Sequence, residues 1–307
     1  MAVNEIERPT SGFAVIDDAG ANGEIHKLRP DQDDAFGLVA GIVFPGDDLD
    51  HWSDHFKPTF NIFRSAAPAG AKLHITDAFA DPASSWAASA RAARCEVYAL
   101  IETHELPIVY TARRSRIARQ SYEMKAQLSA NIKSLAAQES PTPTHYVHKK
   151  RSRERLVDEC YQGIVSLLDI FARYAQLQMI EVYPDQIDDV VRRGMDDSAD
   201  RLRHVSTRTR PITGFNIATQ SVETLGQITA SLDLPDIDVA HVKMLNEPLG
   251  KEHPLVFAAD VVANGINHFL RNKAPDADLN SCEDIAGWDL AHRVFAPPRE
   301  NAIYDRI

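Results

Sequence analysis

"FAVIDDAGANGE", residues 13–24, holds the feature on which the reading of this chain turns. Phe13, Ala14, Val15 and Ile16 make a short apolar run suited to a buried strand, and it passes directly into Asp17 and Asp18, with Gly20 two residues on. Carboxylates at the end of a buried strand have two physical readings. One is a solvated turn, because aspartate bonds to nearby backbone and favours turns. The other is a metal site, because a buried acid persists only when it is paired or coordinates an ion.

Working outward, "AFGLVAGIVF" (35–44) reads as a second strand rich in Val, Ile and Phe. Asn22-Gly23 and Arg29-Pro30-Asp31 lie between the two, a polar connection too long for a tight hairpin. "HWSDHFKPTFNIF" (51–63) is expected to be helical up to Pro58, where the missing N–H interrupts a helix. "AKLHITDAF" (71–79) reads as a short strand or extended connection, alanine-rich 84–105 as a helix, and "LPIVYTAR" (106–113) as a strand. "AAQESPTPT" (136–144) is a loop by composition. In 153–177, Leu156, Cys160, Ile164, Leu167, Leu168, Phe171 and Ala175 recur at helical spacing and make one apolar face. "QMIEVYPD" (178–185) reads as a strand that stops at an aspartate beside a proline, 214–234 as helix or mixed, "IDVAHVKML" (237–245) as a last strand and 254–272 as a final helix. Alternating strands and helices place the chain in the mixed α/β class, around one sheet.

With 307 residues, 44% hydrophobic and 25% charged, the composition is that of an ordinary soluble globular protein. No apolar run is long enough for a transmembrane helix, and "MAVNEIERPTSG" lacks the basic start and apolar middle of a signal peptide. Cys95, Cys160 and Cys282 are widely spaced and form no metal-binding pattern, so reduced thiols in a cytoplasm are expected. A net charge of −11 excludes a general nucleic-acid coating protein, which would be strongly basic. It leaves room for a nuclease, which needs acid only at its centre and basic residues only along its substrate. Basic runs occur at 112–119, 148–155 and 201–210, each of which also reads as a solvated helix face or loop.

Three acids stand where apolar segments end or pass: Asp17, Asp185 and Asp260. Turn chemistry alone accounts for the first two. Asp260 differs, because it lies inside "LVFAADVVANGI" and its helical neighbours Val256, Phe257, Ala263 and Asn264 include no cation. Burial of such an acid needs a tertiary partner or a metal. Aspartates converging from strand ends and a helix can hold divalent ions, and oxygen-only ligands favour Mg²⁺ or Mn²⁺ over zinc. His74 is a candidate proton shuttle or ligand among 12 histidines. His51 and His55 have the i, i+4 spacing of a helical chelate, but no acidic base accompanies them as in zinc proteases, and "DDLDHWSDH" reads as a solvated face. The glycine patterns of nucleophile-elbow, P-loop and dinucleotide sites are absent.

"IDDAG", "GLVAGIVF", "KLHITD" and "FAADVVANGI" occur in an order that resembles the family known as domain of unknown function 3800. The resemblance covers roughly residues 12–272, between a tail (1–11) and a C-terminal extension (273–307). It implies an RNase H-like mixed sheet flanked by helices, with helical insertions, and a divalent-metal-dependent nuclease that hydrolyses phosphodiester bonds. By position, Asp17 matches the first acid of an opening Asp-Glu-Ser-Gly motif, with Asp18 and Ala19 replacing Glu and Ser. Asp260 matches the acid of the closing helix, Asp185 an acid ending a central strand, and His74 and Asp77 the short motif of the first third. The expected metal ligands are therefore Asp17, Asp18, Asp77, Asp185 and Asp260, holding Mg²⁺ or Mn²⁺. Asp17, Asp185, Asp260 and His74 form the expected catalytic set. Lys149, Lys150 and Arg151 are expected to contact the phosphate backbone of a DNA or RNA substrate without reading sequence. A catalytically inactive scaffold on the same fold and a hydrolase of a small phosphorylated molecule are the alternatives. Nothing in the sequence selects among a monomer, a homo-oligomer and a complex with a partner protein.

Overall fold

The computed structural model describes residues 9–21, 23–124, 127, 144–145, 155–185, 187, 189, 191–196, 208–216, 221–230, 241–243, 249–274, 279 and 285–297. The central sheet has the order β3-β2-β1-β5-β8. Its strands are β1 (Ser11–Gly20), β2 (Phe36–Pro45), β3 (Ile108–Arg114), β5 (Met179–Pro184) and the two-residue β8 (Val242–Lys243). β1, β2 and β3 are mutually antiparallel neighbours, whereas β5 runs parallel to β1 and β8 parallel to β5. A separate antiparallel sheet joins β4 (Thr144–His145), β6 (Arg208–Asn216) and β7 (Ser221–Ala230).

β2 is buried at every position but its last, so its unbroken apolar sequence reflects a sheet covered on both faces. The period-2 alternation of side chains then divides the core. Phe13 and Val15 of β1 join Leu38, Ala40, Ile42 and Phe44 of β2 on one face, beneath α1 (Leu49–Ser65), α3 (Ser85–Thr103) and the last helix, α5 (Pro254–Leu270). Ala14 and Ile16 join Val39, Val43 and Val182 on the other, beneath α4 (Leu156–Tyr174). Helices on both faces of one mixed sheet define the α/β class.

Four local expectations are revised. β1 does not stop at Asp17: it stays paired with β2 through Asp17↔Ala40 to Gly20↔Gly37, so both aspartates sit within a strand. α1 runs through the exposed Pro58, because Phe56, Thr59, Phe60 and Phe63 are buried on either side of it and their packing outweighs one lost hydrogen bond. Residues 71–74 form no strand, with His74 extended, and 75–78 form a short helix, α2 (Ile75–Ala78). The 214–234 stretch contributes the end of β6 and all of β7, in keeping with Val222, Thr224, Ile228 and Thr229, whose branched Cβ atoms favour strands. The 136–143 loop lies outside the described residues. Beyond α5, Ile285, Trp288 and Leu290 pack into the α5 side of the core, and Phe295 N–H bonds the Ile108 carbonyl. That part of the C-terminal extension therefore belongs to the same core. Among the described residues no helix is long and apolar enough to cross a membrane.

Candidate metal centre

β1 and β5 are parallel, and their pairing ends at Ile16↔Pro184, so residues 17 and 185 leave the shared edge side by side. Asp185 N–H bonds the Ile16 carbonyl at 3.1 Å and ties the two carboxyl ends together. The crevice beyond the carboxyl ends of parallel strands is the usual ligand position in α/β sheets. Alternation along β1 carries Asp17 to the face of Phe13 and Val15, toward α5, and Asp18 to the face of Ala14 and Ile16, toward α4. There the Tyr161 hydroxyl donates to Asp18 at 3.0 Å. Two adjacent acids thus serve opposite sides of the sheet.

Asp260 comes from the middle of α5, a helix buried on nearly every side because it is wedged between the sheet and α1. Its Oδ2 accepts from the Ile75 backbone N–H at 2.7 Å and lies 3.9 Å from His74 Nδ1. The extended His74, which caps α2, and the Ile75 amide that follows it are therefore delivered to the acid together. One ligand atom each from Asp17, His74 and Asp260 lies within 4.8 Å of the others. Asp185 and Lys251 line the same small pocket, and Lys251 Nζ stands 3.0 Å from His74 Nε2.

Electrostatics mark this as a site short of positive charge. Asp17, Asp185 and Asp260 are 4%, 5% and 7% exposed. Burial first, then the charges of Asp260, Asp18 and Asp185, raise the Asp17 carboxyl well above the usual carboxylate range, against a hydrogen bond from the Asp18 amide. Burial likewise lifts Asp260 to about 7, with Asp185, Asp77 and Asp18 adding to the shift and the Ile75 amide opposing it. Burial and then the Lys251 ammonium lower the His74 imidazole, so the neutral ring is favoured. Asp185 Oδ1 is buried with no hydrogen-bond partner. Converging carboxylates, a neutral imidazole and an orphaned carboxylate oxygen fit a divalent cation.

No protein-family model, no curated protein and no solved structure matches this chain. The case for the site therefore rests on its own geometry.

Of the expected site residues, the fold gathers Asp17, Asp185, Asp260 and His74 around one pocket. Asp18 points to the opposite face of the sheet, and Asp77 is exposed on α2, though its charge reaches Asp260 and His74. Lys149, Lys150 and Arg151 lie outside the described residues. The 112–119 basic run is committed internally: Arg113 pairs with Glu159 at 3.0 Å, Arg119 with Asp33 at 2.7 Å, and Arg114 is buried and bonds the Ala274 carbonyl. Lys251, Tyr161 and the Ile75 amide were not anticipated. Tyr161 reads as one more core position of an amphipathic helix, and Lys251 precedes α5 in a loop that carries no motif. Only alternation along β1 offers a signal, since it requires some partner on the α4 side for Asp18.

Proposed function

We propose that the chain is a divalent-metal-dependent phosphodiesterase acting on nucleic acid, built on an RNase H-like sheet, with Mg²⁺ or Mn²⁺ held by Asp17, Asp185 and Asp260. The observation that carries this reading is the convergence of three buried carboxylates from β1, the end of β5 and α5, two of them driven toward the protonated form in the absence of a cation. The three antiparallel strands continued at one edge by two parallel ones, and the resemblance to the domain of unknown function 3800 family, support the same assignment.

A bound divalent ion supplies polarised water and charge stabilisation at the leaving oxygen. The chain's own groups do the positioning. The Ile75 amide fixes Oδ2 of Asp260, a residue that lines the pocket. The Asp18 amide does the same for Asp17 at 2.8 Å, and the Tyr161 hydroxyl holds Asp18 back against α4. His74, half-buried at the rim, is placed to pass a proton between the pocket and solvent. Lys251 brings a fixed positive charge to the pocket for a phosphate oxygen.

A second reading, hydrolysis of a small phosphorylated molecule, is favoured by one observation: the arginines that would line a nucleic-acid groove from 112–119 are engaged with the protein's own acids and carbonyl groups. Cleavage assays on single- and double-stranded DNA and RNA, beside small phosphate mono- and diesters, separate the two. With Mn²⁺ or Mg²⁺ the wild type should cut nucleic acid, and Asp17→Asn and Asp260→Asn should each lower the rate at least a hundredfold. Turnover of small esters alone selects the second reading, and cleavage by Asp17→Asn at the wild-type rate rejects the site.

A further inference from the structure

His74 stands where a metal ligand would stand, yet its hydrogen bonding is not that of a ligand. One of its ring nitrogens lies within 4.8 Å of carboxylate oxygens from both Asp17 and Asp260. Lys251 Nζ is 3.0 Å from Nε2, and Nδ1 is the nitrogen on the Asp260 side, 3.9 Å from Oδ2. A lysine ammonium has three hydrogens to donate and no lone pair to offer. Beside it Nε2 must accept, and the single hydrogen of a neutral imidazole then sits on Nδ1. Burial and the Lys251 charge both favour that neutral ring. Lys251 thus closes both nitrogens to a cation, Nε2 by its own hydrogen bond and Nδ1 by the hydrogen that this bond imposes. The backbone around Lys251 is tied down on both sides. The Leu249 N–H bonds the Pro184 carbonyl at 3.2 Å, next to Asp185, and the His253 N–H bonds the Gly250 carbonyl at 2.8 Å. Glu252 pairs with Arg64 of α1 at 2.9 Å.

We propose that Lys251 is a positioning residue for His74 and, through it, sets the metal preference of the centre. It fixes the Nδ1–H tautomer, keeps the imidazole out of the coordination shell and leaves the ion an oxygen-only set, an inference that rests on the carboxylate centre being a metal site. Imidazole favours Zn²⁺, Ni²⁺ and Cu²⁺, whereas carboxylates alone suit Mg²⁺ and Mn²⁺. Zn²⁺ outcompetes Mn²⁺ at most sites of mixed nitrogen and oxygen donors, so a centre for Mg²⁺ or Mn²⁺ gains from withholding the nitrogen. The same hydrogen bond turns His74 from a lone-pair donor into a hydrogen-bond donor. Both residues line the pocket, where Nδ1–H and the remaining hydrogens of Lys251 suit the oxygens of a phosphate. An arginine at position 251 preserves the effect, because a guanidinium also only donates, and a methionine abolishes it.

Two measurements on the full chain test this. Long-range proton–nitrogen NMR spectra of histidine-labelled protein, recorded in chelator at pH 8, report which ring nitrogen carries the hydrogen, and loss of a signal in His74→Gln identifies His74. The ring should be Nδ1–H in the wild type and in Lys251→Arg, and Lys251→Met should admit the Nε2–H form. An Nε2–H ring in the wild type, or a tautomer unchanged by Lys251→Met, overturns the proposal. In the second measurement metal-buffered Zn²⁺ displaces Mn²⁺, whose bound fraction is read by electron paramagnetic resonance. Lys251→Met should raise the preference for Zn²⁺ over Mn²⁺ at least about tenfold, and adding His74→Gln should abolish the gain. Comparing two divalent ions cancels the loss of the lysine charge, which acts on both alike. Lys251→Arg should keep the wild-type preference. A preference unchanged in Lys251→Met, or a gain that survives His74→Gln, overturns the selectivity. Failure of Mn²⁺ to bind rejects the metal centre and the selectivity with it, whereas the tautomer is read without any ion, so the two failures are told apart.

Discussion

At the scale of single residues, Asp260 shows what burial does to an acid with only one strong donor. Its carboxyl is lifted to about 7, while an unfolded chain would titrate it near ~4. The folded state therefore keeps a proton that the unfolded state has already released. That contribution to stability is complete below about pH 4 and is lost as the pH rises through about 7. In chelator, the thermal midpoint should fall as the pH is raised from 5 to 8. Asp260→Asn should flatten this dependence, since its carboxamide oxygen still accepts from the Ile75 amide and carries no charge. A wild-type midpoint that rises across the same interval would contradict this account. Asp17, shifted in the same direction, reinforces the trend.

Among the elements, α1 is the clearest contest between local chemistry and packing. Pro58 deprives the helix of one backbone bond and crowds the preceding turn, at a cost of about 3 kcal/mol in a helix interior. Burial of Phe56, Phe60 and Phe63 holds the helix together regardless. Because Pro58 is exposed, Pro58→Ala should restore the missing N–H without disturbing the core and raise stability by roughly 1–2 kcal/mol, read from denaturant midpoints at constant slope. A proline in an apolar pattern stops a helix only where packing is weak, and that strength is not visible in a local window. β1 teaches the same lesson. A pair of aspartates suggests a turn, but nine consecutive register pairs with β2 keep the strand going to Gly20. Gly41 permits the close approach, since a Cβ there would stand 2.5 Å from Ile16 Cγ2 and 2.8 Å from the Val15 carbonyl oxygen.

For the whole molecule, the candidate centre couples four distant stretches of chain, around residues 17, 74, 185 and 260, so an ion bound there opposes global unfolding. At a hundredfold excess over its dissociation constant, a ligand specific to the folded state adds about 2.7 kcal/mol. For a chain of this length that corresponds to a rise in the midpoint of roughly 4 °C. Mg²⁺ or Mn²⁺ should produce such a shift at pH 8 in the wild type and none in Asp17→Asn. An equal shift in the variant would mean that the ion binds elsewhere.

The sequence by itself determined the α/β class, the two apolar strands at the start, the helices at 156–174 and 254–270, and the three acids that line one pocket, because periodicity and the cost of burying charge are written locally. Tertiary structure alone decided which acids meet. Asp17 and Asp18 are neighbours in sequence and face opposite sides of the sheet, whereas Asp17 and Asp260 are far apart in sequence and share a pocket with His74. Strand alternation, the parallel pairing of β1 with β5 and the wedging of α5 over the sheet produce that arrangement, and each depends on contacts between segments that no local pattern encodes.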